Sequence, residues 1–98
     1  MRINMKNFIE FWEFIQPTLG DDFYRYTFVN KDKIESIIIR WDNEINKFVV
    51  VIFTKDRKYR PTGIKIDPNL YMSKEINNQC YWINYDDAEK YIRDLMNE

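Results

Sequence analysis

The sequence predicts an α+β domain in which one antiparallel sheet of four to five strands is packed by an N-terminal and a C-terminal helix. Residues 47–53 (KFVVVIF) are continuously apolar and rich in β-branched side chains, which is typical of a central strand covered on both faces. Short polar connections flank this run, and they are too short for a crossover, so the strands should form a meander. Apolar residues at helical spacing occur near both ends of the chain.

Length and composition set the scale of this domain. A chain of 98 residues predicts a single domain over 1–98, because neither half alone would bury a sufficient core. Hydrophobic residues make up 45% of the chain and charged residues 32%, a balance typical of a folded protein and not of a disordered one. The aromatic share of 17% indicates that large side chains compensate for the short chain.

The first helix is predicted over residues 5–16, with Asn4 as its N-cap and Pro17 just after its end. Its apolar stripe comprises Met5, Phe8, Ile9, Phe11, Trp12 and Ile15. Glu13 falls on the opposite, solvent-facing side of this helix. Phe14 lies off the stripe, so we expect it to be at least partly exposed.

Three strands follow, at residues 23–29, 34–41 and 47–53. The polar stretches 30–33 and 42–46 connect them as turns. In the first of these strands the alternation of residues places the aromatic side chains on one face and the polar ones on the other.

The second half of the chain is predicted to add a fourth strand at 63–67, a short helix at 68–76 and a fifth strand at 79–83. The last helix follows Asn84, and two aspartates in its first turn suit the positive end of the helix dipole. Its apolar stripe comprises Ala88, Tyr91, Ile92 and Leu95.

Several chemistries are excluded by residue type. The chain has no histidine and a single cysteine, Cys80, so it has no imidazole base, no catalytic triad with histidine and no thiolate zinc cluster. Its two glycines are far apart, which excludes a phosphate-binding loop. We therefore expect no enzymatic activity, no metal and no cofactor; a carboxylate-dependent hydrolase is the enzymatic alternative that these residue types leave open. The lone cysteine and the absence of a secretory or membrane-spanning pattern predict a cytoplasmic protein.

Charge is distributed unevenly along the chain. Residues 47–65 contain six basic residues and one acidic residue, whereas the segments on either side are acidic overall. The basic residues concentrate in residues 55–60, hereafter the basic segment. A basic segment and an acidic last helix on one chain also allow a two-fold homodimer.

These features predict a non-enzymatic protein that binds another protein, as an inhibitor or an immunity or anti-defence factor of a phage or low-GC bacterium. Arginine and aromatic residues dominate binding energy at protein interfaces, so their abundance favours this function. The predicted contact residues are Arg57, Lys58, Tyr59, Arg60, Lys55, Phe14, Tyr24 and Tyr71. The alternative is a domain for single-stranded nucleic acid, in which the basic segment contacts phosphates and exposed aromatic rings stack on bases.

Overall fold

The computed structural model describes residues 7–15, 20, 23–64 and 81–97. Within these residues the chain forms strands β1 (Phe8–Ile15), β2 (Phe23–Asn30), β3 (Ile34–Asp42), β4 (Lys47–Thr54) and β5 (Lys58–Tyr59), and helix α1 (Tyr85–Asn97). The antiparallel sheets and the C-terminal helix confirm an α+β fold. Helix α1 is the one α-helix of the described ranges, and it is neither long nor apolar enough to cross a bilayer.

The predicted N-terminal helix is wrong, because residues 8–15 form strand β1. This strand pairs with β2 in an unbroken antiparallel register from Phe8 opposite Asn30 to Ile15 opposite Phe23. Aromatic and β-branched residues are weak helix formers and pack well across strands, so the pairing with β2 outweighs the helical spacing. The proposed cap, Asn4, lies outside the described residues.

The predicted single meander is also wrong, because β2 and β3 belong to different sheets. One sheet contains β1 and β2, and the other contains β3, β4 and β5. A one-turn 3-10 helix, Lys31–Lys33, carries the chain from the first sheet to the second. Asn30 caps this turn, since its Oδ1 accepts a hydrogen bond of 2.9 Å from the Asp32 N–H.

Residues 60–62, which directly follow β5, join the two sheets. The Phe14 N–H donates to the Arg60 carbonyl at 3.0 Å, and the Thr62 N–H donates to the Trp12 carbonyl at 2.9 Å. Pro61 lies between these bonds, opposite Glu13, where β1 does not require an N–H from it. The chain that follows β5 therefore pairs with β1.

Strand β4 is central, as the sequence predicts. It pairs with β3 along one edge and with β5 along the other, and Phe48 exchanges two backbone hydrogen bonds of 2.8 Å with Trp82. Val49 and Val50 point to opposite faces, and both are 0% exposed. Of the predicted strand at 79–83, the described residues form only this bridge at Trp82.

Two further predicted elements fall largely outside the described residues. The predicted short helix at 68–76 lies entirely outside them. Only residues 63 and 64 of the predicted strand at 63–67 are described, and they are irregular.

Helix α1 covers the core, and its predicted apolar stripe is consistent with the structure. Ala88 is 0% exposed and Leu95 is 5% exposed. The core cluster comprises Ile9, Phe11, Val29, Ile52 and Leu95. Lys31 Nζ donates to the Met96 carbonyl at 2.8 Å, so a lysine from the turn between the sheets binds the negative end of this helix.

Candidate binding site: a cationic groove

The turn between β4 and β5 holds Arg57 in place through its backbone. The Thr54 N–H donates to the Arg57 carbonyl at 3.0 Å, and Thr54 Oγ1 donates to the same carbonyl at 2.8 Å. The Arg57 N–H in turn lies 3.3 Å from Thr54 Oγ1. These contacts fix where the Arg57 side chain leaves the turn.

Glu13 is a charged residue in the interior, with 2% of its side chain exposed. It follows the core residues of β1 on the inward face of the strand. Oε2 accepts hydrogen bonds from Arg25 Nη2 at 3.2 Å and from Thr27 Oγ1 at 2.9 Å, and Oε1 accepts from Arg57 Nη2. Because a buried carboxylate without partners is strongly destabilising, these three donors explain how Glu13 stays inside.

The sequence prediction missed Glu13, since it placed this residue on the exposed side of a helix. In a strand, residues 9, 11 and 13 share one face, and the register sets Glu13 directly opposite Arg25. Alternation in β1 together with a basic residue at the opposing position of β2 was the available signal. It becomes visible only once β1 is taken as a strand.

Two arginines are stacked on aromatic rings beside Glu13. The Arg57 guanidinium lies 4.0 Å from the centroid of the Tyr59 ring, and the Arg60 guanidinium lies 5.0 Å from that of Phe14. The Phe14 ring also packs against Tyr24, with 5.7 Å between centroids. Such cation–π contacts restrict where both guanidinium groups can point.

These side chains border a groove of about 700 Å³ on the outer face of β3, β4 and β5 and the end of β1, hereafter the cationic groove. Its basic residues are Arg40, Arg57, Lys58 and Arg60. Its apolar floor includes Ile38, Val51 and Phe53. Ile38 is 39% exposed, so part of this floor is open to solvent.

The positive charge of the groove is only partly compensated. Arg57 pairs with Glu13. Arg40, Lys58 and Arg60 make no ion pair within the described ranges. The Nε atom of Arg60 is enclosed and, in this same part of the chain, has no hydrogen-bond partner. The groove therefore offers three uncompensated cations above an apolar floor.

The structure brings most of the predicted contact residues together. Arg57, Lys58, Tyr59, Arg60 and Phe14 line the cationic groove. Tyr24 does not line the groove itself but contacts the Phe14 ring, which does. Lys55 points elsewhere, into a separate cleft of about 340 Å³.

Tyr71 lies outside the described residues. Sequence reasoning did not select Glu13 and Ile15 of β1, which also line the groove. The other four groove residues that it did not select come from β3 and β4: Ile38, Arg40, Val51 and Phe53. No local sequence pattern marks these four residues as part of a site, because only the pairing of β3 with β4 and of β4 with β5 brings them beside the basic segment.

Neither metal coordination nor a known relative assigns a function to this site. Among the described residues, no three cysteine or carboxylate side chains are grouped so as to hold a metal ion. No protein-family model, curated protein or solved structure matches the chain.

Proposed function

We propose that this protein is a non-enzymatic interaction protein that binds another protein through the cationic groove, as an inhibitor-type or immunity-type factor in the cytoplasm. The observation that carries the proposal is that Arg40, Lys58 and Arg60 make no ion pair in the described ranges, while two of the groove's arginines, Arg57 and Arg60, are stacked on aromatic rings. Arginine and tyrosine are typical interface anchors. Side chains held in place before binding lose less conformational entropy when a partner arrives.

Glu13 supports a binding role over a catalytic one. Among the described residues it is the one carboxylate that lines the groove, and both of its oxygens already accept hydrogen bonds, from Arg57 on one side and from Arg25 and Thr27 on the other. A general base needs a lone pair directed at the substrate. Glu13 instead acts as an internal counter-ion that keeps Arg57 at the edge of the groove.

Charge reversal at Lys58 tests this proposal. Lys58 is exposed and makes no ion pair in the described ranges, so Lys58→Glu should leave the thermal midpoint nearly unchanged. Tagged protein is used to capture its partner from extracts of its own cells, the partner is identified by mass spectrometry, and binding is measured by calorimetry. We expect Lys58→Glu to weaken binding by about tenfold or more.

Lys55→Glu is the matched control. It makes the same charge change on another exposed lysine of the basic segment, outside the cationic groove. Equal weakening by both variants would indicate a general charge effect. Unchanged binding by Lys58→Glu would remove the groove as the interface.

A domain for single-stranded nucleic acid is the second candidate. The observation that favours it is the combination of Arg40, Lys58 and Arg60 with aromatic rings on one surface. Binding of an oligonucleotide should then weaken steeply with salt, and Lys58→Glu should lower the slope by about one. Absence of binding at low salt would exclude this candidate.

A further inference from the structure

We propose that the segment of the partner that occupies the cationic groove is an acidic peptide with an apolar side chain. This inference rests on the proposed function and adds the chemistry of the partner. Its carboxylates would pair with Arg40, Lys58 and Arg60, and its apolar side chain would cover Ile38.

The groove cations that have no ion pair among the described residues call for an anionic ligand. Arg60 is the most specific of them, because its guanidinium is held over the Phe14 ring while its Nε lacks a hydrogen-bond partner in the described part of the chain. A carboxylate matches the planar fork of a guanidinium group through two parallel hydrogen bonds. A carboxylate in the groove would pair with the terminal nitrogens of Arg60, because Nε is enclosed.

The floor of the groove favours a peptide over a nucleic acid. Ile38 lies opposite Val51, and Phe53 lies opposite Lys58, so apolar side chains and a cation share one face of the sheet. The aliphatic side chains of Ile38 and Val51 offer a binding surface to another apolar side chain and no platform for a base, and Phe53 is the one aromatic ring among these floor residues.

Two aromatic rings of the groove, Phe14 and Tyr59, are already engaged. Phe14 contacts both Arg60 and Tyr24. Tyr59 contacts Arg57 on one side, and its centroid lies 6.2 Å from that of Phe11 in an edge-on arrangement. Bases would have to displace these contacts to stack.

The experiment is a titration of the full-length, ¹⁵N-labelled protein, followed by NMR. The probe is a short peptide of glutamates with a central leucine, and the control peptide carries glutamine in place of every glutamate. We expect saturable shifts of the backbone amides of Ile38, Val51 and Lys58 with the acidic peptide only. Lys58→Glu should weaken this binding by about tenfold, and Lys55→Glu should leave it unchanged.

Three results would overturn the inference: no shifts with the acidic peptide, equal shifts with the glutamine peptide, or shifts that lie outside the groove. Tighter binding of oligothymidylate to the same amides would overturn it in favour of nucleic acid. If capture of the partner depends on Lys58 while the acidic peptide fails to bind, only this inference is rejected. If capture does not depend on Lys58, the proposed function itself fails.

Discussion

Glu13 organises the groove at the scale of single residues. It is 2% exposed, whereas its two arginine partners keep 50% and 38% of their side chains exposed. Arg57 therefore joins an interior carboxylate to the surface where a partner would bind. An Arg57 without this counter-ion would sample more conformations and would bind less well.

Replacing Glu13 should cost stability. We expect Glu13→Gln to lower the free energy of unfolding by about 1–3 kcal/mol, because a charged acceptor of three hydrogen bonds becomes a neutral amide that retains a single acceptor oxygen. The partial exposure of Arg25 and Arg57 keeps the loss below that of a fully buried ion pair. Urea denaturation of the wild type and of Glu13→Gln measures this loss in the free energy of unfolding.

Glu35→Gln is the control for this change. Glu35 is exposed on β3, and its replacement should alter the free energy of unfolding by less than about 0.5 kcal/mol. Equal effects of the two variants would contradict a structural role for Glu13.

Tyr59 should matter for stability as well as for binding. It lines the groove, yet it also packs against the core cluster. We expect Tyr59→Ala to lower the free energy of unfolding by about 2–4 kcal/mol, whereas Tyr59→Phe keeps the ring and should change it little. Thermal unfolding of both variants checks this, and a Tyr59→Ala protein as stable as the wild type would show that the ring is not part of the core. Alanine at Tyr59 is therefore a poor test of binding.

At the scale of elements, β4 is the strand on which the domain depends. Ile52 is 0% exposed, belongs to the core cluster and lies opposite Tyr59 of β5. Ile45, in the turn that precedes β4, is 39% exposed. Isoleucine therefore occurs at a buried and at an exposed position that lie seven residues apart along the chain.

This contrast predicts unequal costs for one substitution. Ile52→Ala should lower the free energy of unfolding by about 2–5 kcal/mol, because it leaves a cavity in the core. Ile45→Ala should cost less than about 1 kcal/mol. Chemical denaturation of both variants measures the difference, and similar costs would contradict a central position for β4.

At the scale of the whole molecule, the two sheets depend on the connection that residues 60–62 make with β1. The Thr62 N–H donates to the Trp12 carbonyl, and Thr62 is 1% exposed. The neighbouring Pro61 gives β1 no N–H, and the connection does not need one. This short pairing joins the sheet that holds Glu13 to the sheet that holds most of the cationic groove.

Proline at position 62 should separate the sheets. Thr62→Pro removes the donated hydrogen bond and introduces steric conflict, so we expect a loss of about 3 kcal/mol or more. In this variant, hydrogen exchange of the β1 amides should be faster than that of the β4 amides. Thr62→Val keeps the N–H and a similar shape, so β1 should keep its protection in that variant. Unchanged exchange in Thr62→Pro would show that other contacts hold the sheets together.

Part of the site was predictable and part was not. The basic segment was visible in the sequence because its lysines and arginines are adjacent along the chain. Arg40 and Ile38 were not, since only the pairing of β3 with β4 brings them to the same surface. Glu13 was assigned to the wrong environment because the element that carries it was assigned wrongly.

The sequence by itself determined the elements whose signals are local and unambiguous: strand β4, the turn that precedes it at residues 43–46, and helix α1. Asn46 illustrates such a signal, as this turn contains a backbone φ of 53° that asparagine tolerates well. Tertiary structure alone decided that residues 8–15 form a strand and that β2 and β3 lie in different sheets. The physical reason is that FIEFWEFI has apolar residues at both helical and strand spacing, and the cross-strand contacts with β2 and residues 60–62 favour the strand.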